Sequence, residues 1–203
     1  MKSIRIVGLT GQTGAGKSTV SETFRGCGIE VIDCDHVCHE VLKNDKQLLA
    51  DLALEFGIGI LNEDGSLERK RLGAIVFNHK EKLLRLNKII FPYIIAEVMR
   101  RVEQLRRAGV RLVVLDAPTL FESGLDKECA DIVSVIAPET ERLNRIMVRD
   151  HLTDAEARSR IASQHSDDFY TARSTLVLRN SDDIAALRAA AAAAARRLLR
   201  ANG

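Results

Sequence analysis

The sequence predicts an α/β fold in which a doubly wound parallel sheet is covered by helices on both faces. Three observations carry that prediction. Short apolar runs rich in Val, Ile and Leu recur along the chain, as expected of strands buried on both sides. Longer stretches with helical spacing separate them, and this alternation implies parallel strands. The first run also ends in a glycine-rich turn that opens directly into a helical stretch.

Ile4 to Leu9 is the first predicted strand, ending at Thr10-Gly11. Lys17 to Gly26 follows as a helix, closed by the glycines at 26 and 28, residues suited to helix ends. Ile29 to Ile32 is a second strand and ends at Asp33. Helices are then expected at Val37–Leu42, Lys46–Phe56, Arg69–Phe77 and Lys80–Arg107. The last should be interrupted at Pro92, which has no N–H to continue the ladder. Asn62, Asp64 and Gly65 mark a turn between two of these helices. Val110–Leu115, leading to Asp116-Ala-Pro118, is a third strand; Ile132–Ile136 is a fourth and Thr175–Leu178 a fifth. Basic helices are predicted at Glu139–Asp150 and Thr153–His165. The alanine run from Ala189 to Ala195, surrounded by arginines, predicts a terminal surface helix, alanine being the best helix former.

Composition excludes several function classes. Thirty basic and twenty-eight acidic residues leave a formal charge of +2, so no broad polyanion-binding surface is expected. Aromatics are only 4%, which argues against stacking platforms for single-stranded nucleic acid. A nucleic-acid partner is therefore not expected. No run of eighteen apolar residues and no secretory leader is visible, so no membrane partner is expected either. Four cysteines suit a reducing compartment, and the cytoplasm is the expected location. Length favours one domain, residues 1–203, as a monomer or small homo-oligomer. Cys34, His36, Cys38 and His39 crowd together, yet no second cluster completes the four ligands of structural zinc.

Gly11-Gln-Thr13-Gly14-Ala15-Gly16-Lys17-Ser18 matches the full G-x-x-x-x-G-K-[ST] pattern, after a strand and opening a helix. Glycines let successive N–H groups turn inward as an anion nest at a helix N-terminus. Lys17 can reach the outer phosphates of ATP and the Ser18 hydroxyl can bind Mg²⁺. Ligands of parallel sheets bind beyond the carboxyl ends of the strands, which singles out residues 10–18, 33–35 and 116–122. Asp33 ends the second strand there, placed to take a proton from an attacking hydroxyl or to help hold magnesium. Asp35 either extends that site or caps the next helix. No Asn-Lys-x-Asp guanine motif and no Leu-Ser-Gly-Gly-Gln signature occurs. A compact nucleoside or nucleotide kinase is the favoured class.

The ordered set of motifs resembles the dephospho-CoA kinase family from end to end. It comprises Gly8-Leu-Thr-Gly before the loop, Val31-Ile-Asp33-Cys-Asp35, Asp64-Gly-Ser-Leu-Glu-Arg69 followed by Leu72 and Val76-Phe77, and Leu115-Asp-Ala-Pro118-Thr-Leu-Phe-Glu122. Arg145, Arg149-Asp150, Ile161-Ala-Ser-Gln164 and Asn180 complete it. The resemblance implies a P-loop NTPase-type sheet with a helical acceptor-binding insertion at 36–107 and a lid at 139–165. It implies ATP, with Mg²⁺, phosphorylating the ribose 3′-hydroxyl of dephospho-CoA; the alternative is another P-loop nucleoside or nucleotide kinase. Carried over, Asp33 is the general base, Gly11 to Thr19 is the ATP cradle, and Arg145 is a lid cation. Arg149 and Asn180 fall on the nucleotide side; Asp35, Arg69 and Glu122 fall on the acceptor side. Read from the residues alone, Arg145 and Arg149 serve equally as a helix ion pair, Arg69 as a solvated face and Glu122 as a cap. Three positions depart from the family pattern: Phe91-Pro92 replaces His-Pro, Thr119-Leu120 replaces Leu-Leu, and Ser174-Thr175 replaces Ala-Asp.

Overall fold

The computed structural model describes residues 3–76, 79–181 and 183–201. Phe77, in the helix and motif read from the sequence, lies outside them. The elements run β1 (Arg5–Gly11), α1 (Lys17–Gly26), β2 (Glu30–Asp33), α2 (Cys34–Asn44), α3 (Lys46–Phe56), α4 (Arg69–Val76) and α5 (Lys80–Arg107). They continue as β3 (Leu112–Asp116), α6 (Leu120–Ser123), β4 (Asp131–Ile136), α7 (Glu139–Asp150), α8 (Asp154–Ala162), α9 (Asp167–Arg173), β5 (Leu176–Arg179) and α10 (Ile184–Arg200). The chain divides into two compact units, residues 1–33 with 104–203, and residues 34–103.

The first unit is the sheet. Five strands pair in the order β2-β3-β1-β4-β5, all parallel. β1 is central and fully buried from Val7 onward, because strands flanked on both sides and covered on both faces must be apolar. Its core joins Val7, Leu9, Val114, Val133 and Val135 of the sheet to Val20 and Phe24 of α1 and Leu187, Ala191, Ala195 and Leu198 of α10. The terminal helix is thus not a surface helix throughout. One face of its alanine run is buried, since methyl side chains let α10 lie close to α1 while the arginines stay in water. Phe24 is fully buried. Phe24→Ala is expected to cost about 4 kcal/mol through lost transfer and a residual cavity, lowering the melting temperature by roughly 10 °C in a calorimetric scan.

Beside the sheet, the segment after β4 differs from expectation at its far end. α8 is shorter than Thr153–His165: Thr153 is its N-cap in a reciprocal capping box with Glu156. A separate helix, α9, begins after Ser166, whose hydroxyl accepts from Phe169 N–H at 3.3 Å. α7 and α8 share a small core of Leu143, Ile146, Ala157 and Ile161.

The second unit is helical. α5 runs unbroken through Pro92, contrary to the expected interruption. Proline inside a helix costs about 3 kcal/mol. Leu86, Ile90, Ile94, Val98 and Val102 are buried every fourth residue, and each contributes about 1.5–3 kcal/mol, so the continuous helix wins. Between α3 and α4, Asn62 N–H donates to Ser66 C=O at 2.8 Å and Asp64 accepts from Ser66 N–H at 2.9 Å. Gly65 has φ of 80°, closing the tight turn read from Asn62-Glu-Asp-Gly. Among the described residues no helix is long and apolar enough to cross a membrane.

Candidate active site

The glycine-rich loop leaves the central strand at its carboxyl end. Gly14 and Gly16 have φ of 76° and 103°, in the left-handed region that strains other residues. Crowding adds a second reason. A Cβ on Gly11 would lie 2.3 Å from Val135 O, one on Gly14 2.9 Å from Arg142 O, and one on Gly16 2.8 Å from Asn180 Nδ2. The loop is held against its supports by having no side chains there. Gly16 is the N-cap of α1, with no side-chain cap bond and no acidic residue in the first turn. The first N–H groups of that helix are therefore left for an anion. Ser18 is exposed on that turn, and Thr13, Gly14, Lys17 and Thr19 are half-buried. Ala15 is fully buried.

Lys17 forms an ion pair with Asp116 at the end of β3. Asp116 opens the 116–122 stretch that the strand-end rule marks, but the sequence reading gives it no role, although a carboxylate ending a β-branched strand is the same signal that marks Asp33. In the sheet Asp33 and Asp116 are register partners. Their side chains leave the same face of the sheet from backbones about 5 Å apart. Asp33 is exposed, whereas Asp116 is 7% exposed. Thr10 Oγ1 donates to Pro118 O at 3.2 Å and Ala117 N–H to Leu9 O at 2.9 Å, tying the exit of β3 to the root of the loop. A lysine and two strand-end carboxylates thus share one sheet edge.

Arg145 also reaches the loop: its Nη1 donates to Gly14 O at 3.2 Å, with Glu141 3.9 Å away. Arg149 does not share this position. It forks onto Asp150 at 2.7 and 2.8 Å and holds that carboxyl down at about 2. Asn180 is 6% exposed beneath the loop, its Nδ2 donating to Ala15 O at 2.9 Å, which makes it a support for the cradle. Glu122 stands 3.2 Å from His165 Nε2. His165 stacks on Phe169 at 3.6 Å, beside Phe121 and Tyr170, and burial pushes the Tyr170 phenol up to about 12.

In the helical unit Asp35 falls inside the first turn of α2. That position suits the helix dipole and is not the cap position. Asp35 and Arg69 both act on Cys38: burial chiefly raises that thiol, Asp35 adds to the rise and Arg69 opposes it. Among the described residues no group of three or more His, Cys, Asp or Glu side chains could hold a metal ion.

A five-stranded parallel sheet with a Gly-x-x-x-x-Gly-Lys-Ser loop after its central strand defines a P-loop nucleoside-triphosphate-binding protein. Residues 5–186 match the family model of dephospho-CoA kinase (CoaE). A dephospho-CoA kinase of Bacillus licheniformis is 38% identical over 179 residues, spanning 88% of this chain and 89% of the relative. The crystal structure of TT1252 from Thermus thermophilus superimposes with a TM-score of 0.79 at 32% identity, covering 97% and 99% of the two chains. Dephospho-CoA kinase from Campylobacter jejuni follows with 0.73 at 26% identity, covering 98% of each. The chain belongs to the dephospho-CoA kinase family.

Proposed function

We infer that this chain transfers the γ-phosphoryl group of ATP to the ribose 3′-hydroxyl of dephospho-CoA, completing coenzyme A. The observation that carries this reading is the shared sheet edge of Lys17, Asp116 and Asp33. The nest of residues 11–19 receives the phosphates of ATP on the uncapped start of α1. Lys17, oriented by Asp116, neutralises charge on the outer phosphates. Ser18 is the hydroxyl that would hold magnesium, which when bound spreads the charge of the β- and γ-phosphates. Asp33 accepts the proton of the attacking hydroxyl.

Residues 139–165 act as the lid, with Arg145 stabilising the transferring phosphoryl group and the lid excluding water from it. Arg149 joins the nucleotide only if its fork with Asp150 opens. Acceptor binding is assigned to the helical segment 36–107, with Arg69 in it and Asp35 just before it; Glu122, on α6, is assigned to the acceptor side as well. The family pattern is departed from at Phe91-Pro92, Thr119-Leu120 and Ser174-Thr175, and Phe91 brings no imidazole to the acceptor. The cytoplasm is the compartment proposed for this chemistry.

The test is ADP release with and without dephospho-CoA, with mass spectrometry of the product. ADP should form at least tenfold faster with the acceptor present, and the acceptor should gain one phosphoryl group at the 3′ position. Transfer to other nucleosides or nucleotides but not to dephospho-CoA overturns the reading.

A further inference from the structure

The connection between α8 and α9 sends side chains onto the phosphate loop although none belongs to the loop's own pattern. Gln164 Oε1 accepts from the backbone N–H of Thr13 at 2.9 Å and from Arg142 Nη1 at 3.4 Å. Arg142 is 5% exposed and also donates from Nε to Ala137 O at 3.1 Å. Burial pulls its pKa down, while Asp167 and Glu139 pull it up. On the other side Gln12 Nε2 donates to Asp167 Oδ1 at 2.8 Å. Loop and lid segment are therefore joined at consecutive residues: Thr13 through Gln164, and Gly14 through Arg145.

The geometry has a consequence for Arg145. Arg142 and Arg145 are three apart on α7, one face of one helix. Gly14 lies so close to Arg142 that a Cβ would meet its backbone, so α7 rests directly on the loop. A single amide oxygen has two lone pairs and takes both donors at once. Gln164 thereby sets where α7 sits on the loop, and with it where the Arg145 guanidinium points. We propose that Gln164 is a positioning residue for phosphoryl transfer, bridging Thr13 N–H to Arg142 so that Arg145 stays on the phosphate loop. The proposal rests on the reading of Arg145 as the lid cation.

A double-mutant cycle on the full chain tests it, using Gln164→Met, Arg145→Ala and the pair. Methionine keeps the length of glutamine and has no comparable acceptor. Gln164→Met should lower kcat about tenfold, the effect of losing one hydrogen bond that orients a charged group, and leave KM for dephospho-CoA within about twofold. In the Arg145→Ala background the same change should cost less than about twofold, because the residue it orients is gone. Losses that multiply in full in both backgrounds overturn the proposal and leave Gln164 a structural residue. Should Gln164→Met fail to fold, Gln164→Glu keeps an acceptor for both donors. A kcat within about threefold of the wild type then supports the bridge, and a loss equal to that of Arg145→Ala overturns it. The cycle is read in parallel on the ATP dissociation constant without acceptor. A wild-type chain inactive on dephospho-CoA sinks the functional reading, while the cycle on ATP affinity still decides the role of Gln164.

Discussion

Asp33→Asn is expected to lower kcat for transfer to dephospho-CoA by about a thousandfold, in the middle of the range that positioned general bases supply. Asparagine matches aspartate in shape, and the position is the exposed last residue of β2, so register with β3 and the fold should survive. The phosphate nest lies after a different strand, and ATP affinity should stay within about twofold by calorimetry. The carboxylate has a second possible task, helping to hold magnesium. The two separate cleanly: a lost base is not restored by raising Mg²⁺, whereas a weakened metal site is. Turnover equal to the wild type would remove Asp33 from the chemistry and leave a nucleotide-binding protein whose catalysis lies elsewhere.

What the sequence made legible follows from how local each signal is. The phosphate loop is read directly because glycine, lysine and serine at fixed spacing are one local device. Asp33 is legible because a buried strand ends where ligands of such sheets bind. The strands themselves stand out as β-branched runs. Asp116 carried the same signal as Asp33 and was passed over in favour of Glu122 further along. The unbroken α5 depends on a sum, five buried aliphatics against one proline, that local rules do not weigh. The buried face of α10 was hidden because alanine signals helix and says nothing about close packing. The contacts of Gln12 and Gln164 join residues more than 150 positions apart, and no spacing pattern can encode them. Asn180 falls on the nucleotide side by its motif, and its Nδ2 donates to the Ala15 carbonyl. A motif match marks a position without saying on which side of the loop the side chain lies.

Lys17→Met should lose two things at once. Without the ammonium, the outer phosphates have no side-chain cation from the loop, and kcat should fall about 100- to 1,000-fold. The second loss is in the free protein. The Lys17 and Asp116 side chains are 20% and 9% exposed, so removing the cation strands a carboxylate with little access to water. Breaking such a pair from one side costs about 3 kcal/mol, and the melting temperature should drop by roughly 6–12 °C. Lys17→Met combined with Asp116→Asn removes the stranded charge, and most of the lost stability should return. Activity should not, since neutralising Asp116 supplies no cation to the phosphates. The pair of outcomes separates the structural part of Lys17 from its part in transfer. A double variant as unstable as the single one refutes the account of the ion pair. A single variant that still transfers phosphate at the wild-type rate refutes the assignment of Lys17 itself, and with it the claim that this sheet edge is where ATP is spent.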